Sequence, residues 1–184
     1  MRKVFLDCGA NVGQVLEEFI NAKPDFEFFA FEPNKVLIPL IWERVRNYPE
    51  GKITIYNKAV WVHDGVADFF LGHHETSTLL LGKRVSEKYH QQIDYDHPEQ
   101  VECVDFSRWL LETFSSEDYL VTKMDIEGAE YEVLEKMIKD GSIGLIDELY
   151  VEWHSFKLDG MPDERHYALL RQLEGLVNLM AWNR

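Results

Sequence analysis

The sequence predicts an α/β fold in which helices cover both faces of a mostly parallel, twisted sheet. Short apolar runs alternate along the chain with stretches in which apolar residues recur every three or four positions. The first pattern is typical of buried parallel strands and the second of the helices that connect them. Several runs end in glycine or in a carboxylate, and ligands of such sheets bind beyond the carboxyl ends of the strands.

The first strand and helix are the clearest elements of this pattern. The apolar run 4–6 ends at Asp7, and apolar residues spaced along 12–20 form a single helical face. A second run, 26–31, ends at Glu32 and is expected to be the neighbouring strand.

The next helix, 36–45, has the same apolar periodicity but contains Pro39, which predicts a kink or a late start there. The run 53–56 predicts a third strand. A His-Asp-Gly turn at 63–65 precedes the run 67–71, which we interpret as an added hairpin strand.

In the second half, 101–104 predicts a strand, and Asp105 stands where it would cap a helix that continues through 111. The run 119–124 predicts the fourth main strand. The helix after it, 129–138, is expected to stop near Gly141.

The last elements are a strand at 149–151, a helix from Pro162 to 173 and a strand at 176–182. The length of 184 residues suits one domain, 1–184, with one core. The polar, irregular segment at about 72–100 is long for a compact domain, so we expect either a lid or insertion over a site, or disorder.

Composition excludes several classes of protein. A net charge of −14 opposes a surface for nucleic-acid phosphates, and no run is apolar enough to span a membrane. Cys8 and Cys103 lie in apolar runs and are expected to be buried thiols of a reducing compartment. The chain shows no secretory signal at its start, so the expected location is cytoplasmic.

The segment after the first strand predicts a nucleotide-type site. Gly9 and Gly13 let the backbone turn sharply and approach a ligand closely, while Asn11 between them tolerates the left-handed conformation. Glu32, at the end of the second strand, places a carboxylate where it can accept both hydroxyls of a ribose.

A pyrophosphate-containing dinucleotide fits this segment poorly. The dinucleotide pattern is Gly-x-Gly-x-x-Gly, and Gln14 stands where its third glycine would be. S-adenosylmethionine (SAM) carries a sulfonium and no phosphate, so a strand end bearing Asp7 suits it better. Glycines that serve packing alone are the alternative.

A second group of carboxylates follows the fourth main strand. Asp125 lies at the strand end, and Glu127 and Glu130, three residues apart, project from one side of a first helical turn. They are candidates to deprotonate or orient a hydroxyl, and Asp125 with Glu127 to hold a divalent metal. Helix-dipole stabilisation is the structural alternative.

Histidines supply further candidates. His154 and Glu152 close the next strand and would reach the same edge, where His154 is a candidate general base. His73 and His74 are a weaker metal-ligand pair, and no metal is firmly predicted.

Together these motifs resemble the FkbM-type SAM-dependent methyltransferases over most of the chain. The segments that carry the resemblance are 6–13, 31–34, 57–60, 76–79, 104–106, 123–130 and 152–154. The resemblance implies a Rossmann-like class I methyltransferase fold, SAM as cofactor, and O-methylation, often of a sugar or another small molecule. It also implies a cofactor site, formed by Asp7, Gly9, Ala10, Asn11, Gly13, Glu32, Pro33, Asn34, Ala59, Val60 and Asp125.

Class I methyltransferases normally finish with an antiparallel strand pair, which is expected to be truncated here. An exposed sheet edge would follow, and a homo-oligomer is one way to protect it. Two functional alternatives stay open, namely a SAM-binding or scaffold protein without activity and, against the net charge, a nucleic-acid methyltransferase.

Overall fold

The computed structural model describes residues 1–49, 51–86 and 89–182. It has nine strands and five α-helices within these ranges. The strands are β1 (Lys3–Cys8), β2 (Glu27–Phe31), β3 (Ile53–Tyr56), β4 (Ala59–Trp61), β5 (Gly65–Phe69), β6 (Glu99–Asp105), β7 (Tyr119–Met124), β8 (Glu148–Val151) and β9 (Asn178–Met180). The helices are α1 (Gln14–Ala22), α2 (Ile38–Val45), α3 (Phe106–Thr113), α4 (Glu130–Asp140) and α5 (Asp163–Leu173).

The main sheet has six strands in the order β3-β2-β1-β7-β8-β9. Every neighbouring pair in it is parallel. The chain winds outward from β1 to β3 and then returns to extend the sheet on the other side of β1. This reversal places the carboxyl ends of β1 and β7 side by side, where a doubly wound sheet binds its ligand.

Helices cover both faces of the main sheet, as the sequence predicts. In β1, Phe5 belongs to the core cluster that α1 and α2 complete, while Val4 and Leu6 belong to the cluster of α3, α4 and α5. Side chains alternate between the two faces of a strand, so an unbroken apolar run supplies both cores at once.

A second, three-stranded sheet, in the order β4-β6-β5, corrects the hairpin prediction for 67–71. β6 pairs in parallel with β4 and antiparallel with β5, so it separates two strands that are adjacent in sequence. The turn at 63–65 gave a local hairpin signal, but the partner strand lies more than thirty residues further along the chain. Val60 and Val104 join this sheet to the main core.

Helix boundaries agree closely with expectation where capping chemistry is clear. Asp105 accepts a hydrogen bond from the Arg108 N–H and caps α3, and Gly141 ends α4 in the left-handed conformation. α2 starts late, at Ile38, as Pro39 predicts. However, Val36 and Leu40 of the predicted apolar face are exposed, because the shorter helix directs Ile41 and Val45 inward.

The sheet edge also differs from expectation in detail. The final strand is shorter than the predicted 176–182. β9 pairs in parallel with β8 and forms an edge of the main sheet within the described residues. A helix long and apolar enough to cross a bilayer does not occur in the described part of the chain.

Gly13 and Gly141 allow the contribution of a close helix contact to be measured. Both adopt nearly the same left-handed φ, 79° and 82°. A Cβ at Gly13 would lie 3.1 Å from Ile41 Cγ2 and 3.3 Å from its Cα, whereas a Cβ at Gly141 would meet nothing within 4 Å.

We therefore expect Gly141→Ala to lose about 1–2 kcal/mol of unfolding free energy from backbone strain alone. Gly13→Ala should lose a further 1–3 kcal/mol or so, because the helix contact is overpacked. Urea denaturation of both variants measures the difference. Equal losses would show that α1 and α2 yield to the added methyl group.

Candidate functional site

A cavity of about 730 Å³ opens at the carboxyl ends of the central strands. Residues that follow β1, β2, β7 and β8 line it, together with parts of β4, β5 and the 74–89 segment. Ten residues predicted to form the site line this cavity: Gly9, Ala10, Asn11, Glu32, Pro33, Asn34, Ala59, Val60, Asp125 and Glu127.

The loop after β1 is shaped by close backbone contacts. Gly9 has a φ of 80°, and a Cβ there would lie 1.9 Å from the Asp125 carbonyl oxygen. The N–H groups of Gly9 and Ala10 both donate to the Phe31 carbonyl, each at 3.0 Å. Asn11 adopts a φ of 50°, which confirms the left-handed conformation expected of it. Glycine is therefore required at position 9 by the close approach of the Asp125 backbone, directly after β7.

Glu32 is held in place by this loop. Its Oε2 accepts a hydrogen bond from the Asn11 N–H and its Oε1 one from the Asn34 N–H, each at 2.8 Å. Burial raises the pKa of the carboxyl to about 7, although the two backbone N–H groups oppose the shift. Each oxygen retains a lone pair, so the fixed carboxylate can accept further donors from the cavity.

Lys123, a residue of the 123–130 segment that was given no role of its own, lies at the floor of the cavity. Its side chain is 2% exposed. The ammonium donates to the Gly9 carbonyl at 2.6 Å and lies 3.2 Å from Asp7 Oδ1 and 3.5 Å from Asp125 Oδ2. Burial disfavours the ammonium, but the charges of Asp7 and Asp125 outweigh it and raise the pKa of Lys123.

Asp7 and Gly13 were expected to belong to the cofactor site, next to the methionine part of SAM. Neither residue lines the cavity. Asp7 is fully buried and is the counter-ion of Lys123 below the cavity surface. Gly13 precedes α1 and packs against Ile41, away from the cavity lining. A strand-end position does not reveal whether a side chain points into the pocket or under it.

Asp125 and Glu127 reach the cavity from the loop after β7. Burial raises the pKa of Asp125 to about 6; the charges of Glu152 and Glu127 add to this rise, and that of Lys123 opposes it. The Asp125 side chain is 25% exposed, so it is accessible to a ligand. Glu127 forms an ion pair with Lys83 and lies 3.8 Å from the Lys157 ammonium.

His154 was predicted as a general base, but its surroundings favour the imidazolium. Its side chain is fully buried, with Nδ1 2.9 Å from Glu130 Oε1 and Nε2 3.4 Å from Glu127 Oε2 and 3.5 Å from Glu152 Oε1. Burial lowers the pKa of His154, but the hydrogen bond to Glu130 and the charges of the nearby carboxylates prevail and raise it to about 10. An imidazolium cannot accept a further proton, so these surroundings do not suit a general base.

Glu130 likewise does not line the cavity, so its carboxylate does not contact a methyl acceptor there. It is fully buried and accepts hydrogen bonds from the N–H groups of Ile126 and Gly128, which close the loop before α4. Its remaining contact orients the His154 ring. A structural role, the capping of these backbone N–H groups, therefore describes Glu130 better than a catalytic role.

Asp125, Glu130 and His154 offer ligand atoms within 4.8 Å of one another, which is the metal-compatible grouping among the described residues. Asp125 of the predicted pair belongs to this group, but Glu127 does not. The other two members, Glu130 and His154, already contact each other at 2.9 Å. His73 and His74 lie outside it. Their rings pack at 4.1 Å, and His74 Nδ1 lies 3.0 Å from the Asn11 side-chain oxygen.

The described residues of the 72–100 segment near the site, 72–86, cover part of the cavity as a packed structure. Thr76, Ser77 and Thr78 are buried, and Phe70 pairs with Thr78 across an antiparallel bridge. His74 and Ser77 line the cavity. The described residues of the expected lid that lie near the site are therefore fixed to the sheet.

Sequence reasoning missed several cavity residues and their supports. Lys123 had a usable signal, since a lysine inside an apolar strand needs a buried partner. Lys83 and the aromatic lining had none, because their contacts join distant parts of the chain. These lining residues are Phe69, Tyr89, Trp153, Phe156 and Trp182.

We expect Lys123→Met to cost about 3–5 kcal/mol of unfolding free energy, because it leaves Asp7 as an unpaired buried charge. Adding Asp7→Asn should recover part of this loss. Lys3→Met is the matched control: Lys3 pairs with Asp25 at 2.7 Å, but the pair is exposed and should contribute less than about 1 kcal/mol. Urea denaturation giving similar losses for the two lysine variants would contradict this account of Lys123.

Comparison with known proteins supports the reading of the motifs. The family model for the methyltransferase FkbM domain matches residues 7–176. No curated protein gives a significant match to the chain. The matched region includes the glycine loop, Glu32 and the strand-end carboxylates, and it covers most of the sequence. The chain therefore belongs to the FkbM methyltransferase family.

Proposed function

We propose that the cavity binds SAM and that the chain transfers its methyl group to a hydroxyl oxygen of a small molecule, with a sugar as the favoured class. The observation that carries this proposal is the position of Glu32. Its buried carboxylate lines the same cavity as the glycine loop and Asp125. One site therefore contains a hydrogen-bond acceptor for the ribose hydroxyls and the acidic side chain of Asp125.

The lining fits the parts of the cofactor. Ala59 and Val60 give an apolar wall suited to adenine, and Glu32 faces the cavity where ribose hydroxyls would donate. Gly9 and Ala10 line the cavity with their backbone, where the methionine part of SAM is expected. The volume, about 730 Å³, lies in the range of pockets that hold small molecules and leaves room for an acceptor.

When bound, SAM supplies a methyl group on a positive sulfur; the carbon–oxygen bond to the acceptor forms as the carbon–sulfur bond breaks, and sulfur keeps the electron pair. The protein holds the two reactants in line, which can supply about 7–11 kcal/mol of the barrier reduction. Asp125 accepts the hydroxyl proton. Its raised pKa makes it more basic than an ordinary aspartate and leaves it ionised at neutral pH.

Glu127 and Glu152 are proposed to orient the acceptor. Both line the cavity next to Asp125. The neighbouring His154 ring, 3.5 Å away, lowers the pKa of Glu152 to about 2, so this carboxylate stays an acceptor of hydrogen bonds from substrate hydroxyls. His154, held by Glu130, stabilises the group of carboxylates as their buried cation.

We propose that the reaction runs without a divalent metal. The carboxylates around Asp125 already have cationic partners in Lys83, Lys123, Lys157 and His154. A metal would have to displace the His154 proton, which the same carboxylates stabilise. A metal-assisted reaction is the alternative, and the grouping of Asp125, Glu130 and His154 is what favours it.

Two other functions remain as outcomes of the same tests. A non-catalytic protein would bind S-adenosylhomocysteine (SAH) but would not turn over SAM. A nucleic-acid methyltransferase would need a basic groove, which a net charge of −14 opposes. The prediction of a homo-oligomer is tested by size exclusion, where a clean monomer would count against it.

The affinity for SAH should depend on pH through Glu32. The ionised carboxylate accepts both ribose hydroxyls and the protonated one does not, so binding should release about half a proton at pH 7, where Glu32 is half titrated. Below that pH the affinity should fall, approaching tenfold per pH unit. Calorimetry in two buffers of different ionisation enthalpy measures both effects.

Glu32→Gln is the control for this titration. It should bind SAH more weakly and show little pH dependence between about pH 6.5 and 8. A wild-type affinity that stays constant over this interval would show that Glu32 does not titrate there, and a Glu32→Gln variant that binds SAH as tightly as wild type would remove Glu32 from ribose binding.

Asp125→Asn should reduce turnover about 10²- to 10⁴-fold, because the proton acceptor is lost, while SAH affinity changes little. Release of SAH from SAM is measured with a panel of methyl glycosides and small polyols, in buffer containing EDTA. The wild type should remain active there. Full activity of the variant would exclude Asp125 as the base, and loss of wild-type activity restored by Mg²⁺ would establish the metal-assisted alternative.

A further inference from the structure

Lys83 is a buried lysine in the segment that the sequence left without structure. Its side chain is fully buried. The ammonium donates to the Thr76 carbonyl at 2.8 Å and forms a short ion pair with the Glu127 carboxylate. Burial of a lysine is costly without a partner, so Lys83 depends on Glu127 as much as Glu127 depends on it.

The backbone around Lys83 is anchored on two sides. Its N–H donates to the Tyr95 hydroxyl and its carbonyl accepts from the same hydroxyl, each at 2.9 Å. An antiparallel bridge joins Lys83 to Leu158, beyond β8. The backbone of Lys83 is therefore fixed, and its ammonium extends from this fixed position.

Thr78, in the same segment, grips the other end of Glu127. Its hydroxyl donates to the Glu127 carbonyl at 2.8 Å and accepts from the Leu80 N–H at 3.1 Å. One stretch of chain thus contacts both the main-chain oxygen and the carboxylate of a single residue.

Glu127 needs such support, because its backbone is in an unfavourable conformation. Its φ is 56°, and it is one of two non-glycine residues with positive φ in the described chain. This conformation is unfavourable for a residue with a Cβ. Strain of this kind persists where the surroundings fix it, and it is often found at functional sites.

We propose that Lys83 is a positioning residue that holds the Glu127 carboxylate at the cavity wall for the acceptor. The inference rests on the proposed function, in which Glu127 orients the acceptor beside Asp125. It gives the 76–83 segment a task distinct from covering the site. Without the Lys83 ammonium, Glu127 keeps His154 and Lys157 at 3.4 and 3.8 Å but loses its nearest cation, so repulsion by Asp125 and Glu152 favours a shift of its carboxylate and backbone.

The test compares Lys83→Met with the double variant Lys83→Met/Glu127→Gln. The single variant should lower Tm by about 10 °C, because it leaves a partly buried carboxylate without its main partner. The double variant should regain at least half of that loss. Lys58→Met is the control, since Lys58 pairs with Glu102 at 3.0 Å on the surface and should shift Tm little.

Activity separates positioning from stability. With any acceptor from the glycoside and polyol panel, Lys83→Met should lose turnover about 10- to 100-fold at saturating SAM, measured at a temperature well below its Tm, where the protein is folded. SAH affinity should stay within about threefold of wild type. Wild-type turnover of the folded Lys83→Met protein would reduce Lys83 to a structural role and overturn the inference.

A crystal structure of Lys83→Met with SAH provides a readout that needs no acceptor. Glu127 should leave its present position or its left-handed conformation. An unchanged Glu127 would overturn the inference even if SAH binds, whereas a wild-type protein that fails to bind SAH would overturn the proposed function itself.

Discussion

The buried ammonium of Lys123 is the interaction on which the rest of the site depends. It joins the two central strands at their carboxyl ends, where Asp7 closes β1 and Asp125 follows β7. Its bond to the Gly9 carbonyl also fixes the loop that approaches the cavity. A lysine that is 2% exposed and has two carboxylate neighbours cannot move without leaving a charge unpaired, so these contacts hold the floor of the cavity in place.

The cavity wall repeats this arrangement. His154 and Lys83 are both buried cations, and each contacts Glu127. Asp125, Glu127 and Glu152 are the carboxylates of this wall that line the cavity. Such preorganised charges need little rearrangement when a reaction moves charge within the site. For the proposed methyl transfer from a sulfonium, the negative charges of the site are therefore already balanced by buried cations.

The sequence predicts the layout of the main sheet well, because each strand end carries a local signal. Glu32, Gly9 and Asn11 could be placed at one edge from their positions after apolar runs, and Asp105 and Gly141 from capping chemistry. These features depend on a few neighbouring residues, which is the range over which sequence patterns are informative.

Other features depend on contacts between distant residues and could not be predicted in this way. The protonation of His154 is decided by carboxylates from two loops, and Lys83 meets Glu127 across 44 positions. β6 enters between β4 and β5 for the same reason, since no local pattern announces a partner that far away. Asp7 shows the limit most clearly: its place at a strand end was right, and its side chain points beneath the pocket.

The central claim is that this cavity accepts an adenosyl group without a pyrophosphate. Parallel calorimetric titrations of the purified chain with SAH and with NAD test it most directly. The account predicts saturable binding of one SAH per chain and no heat of binding with NAD. Binding of NAD in place of SAH, or no binding of SAH at all, would contradict it.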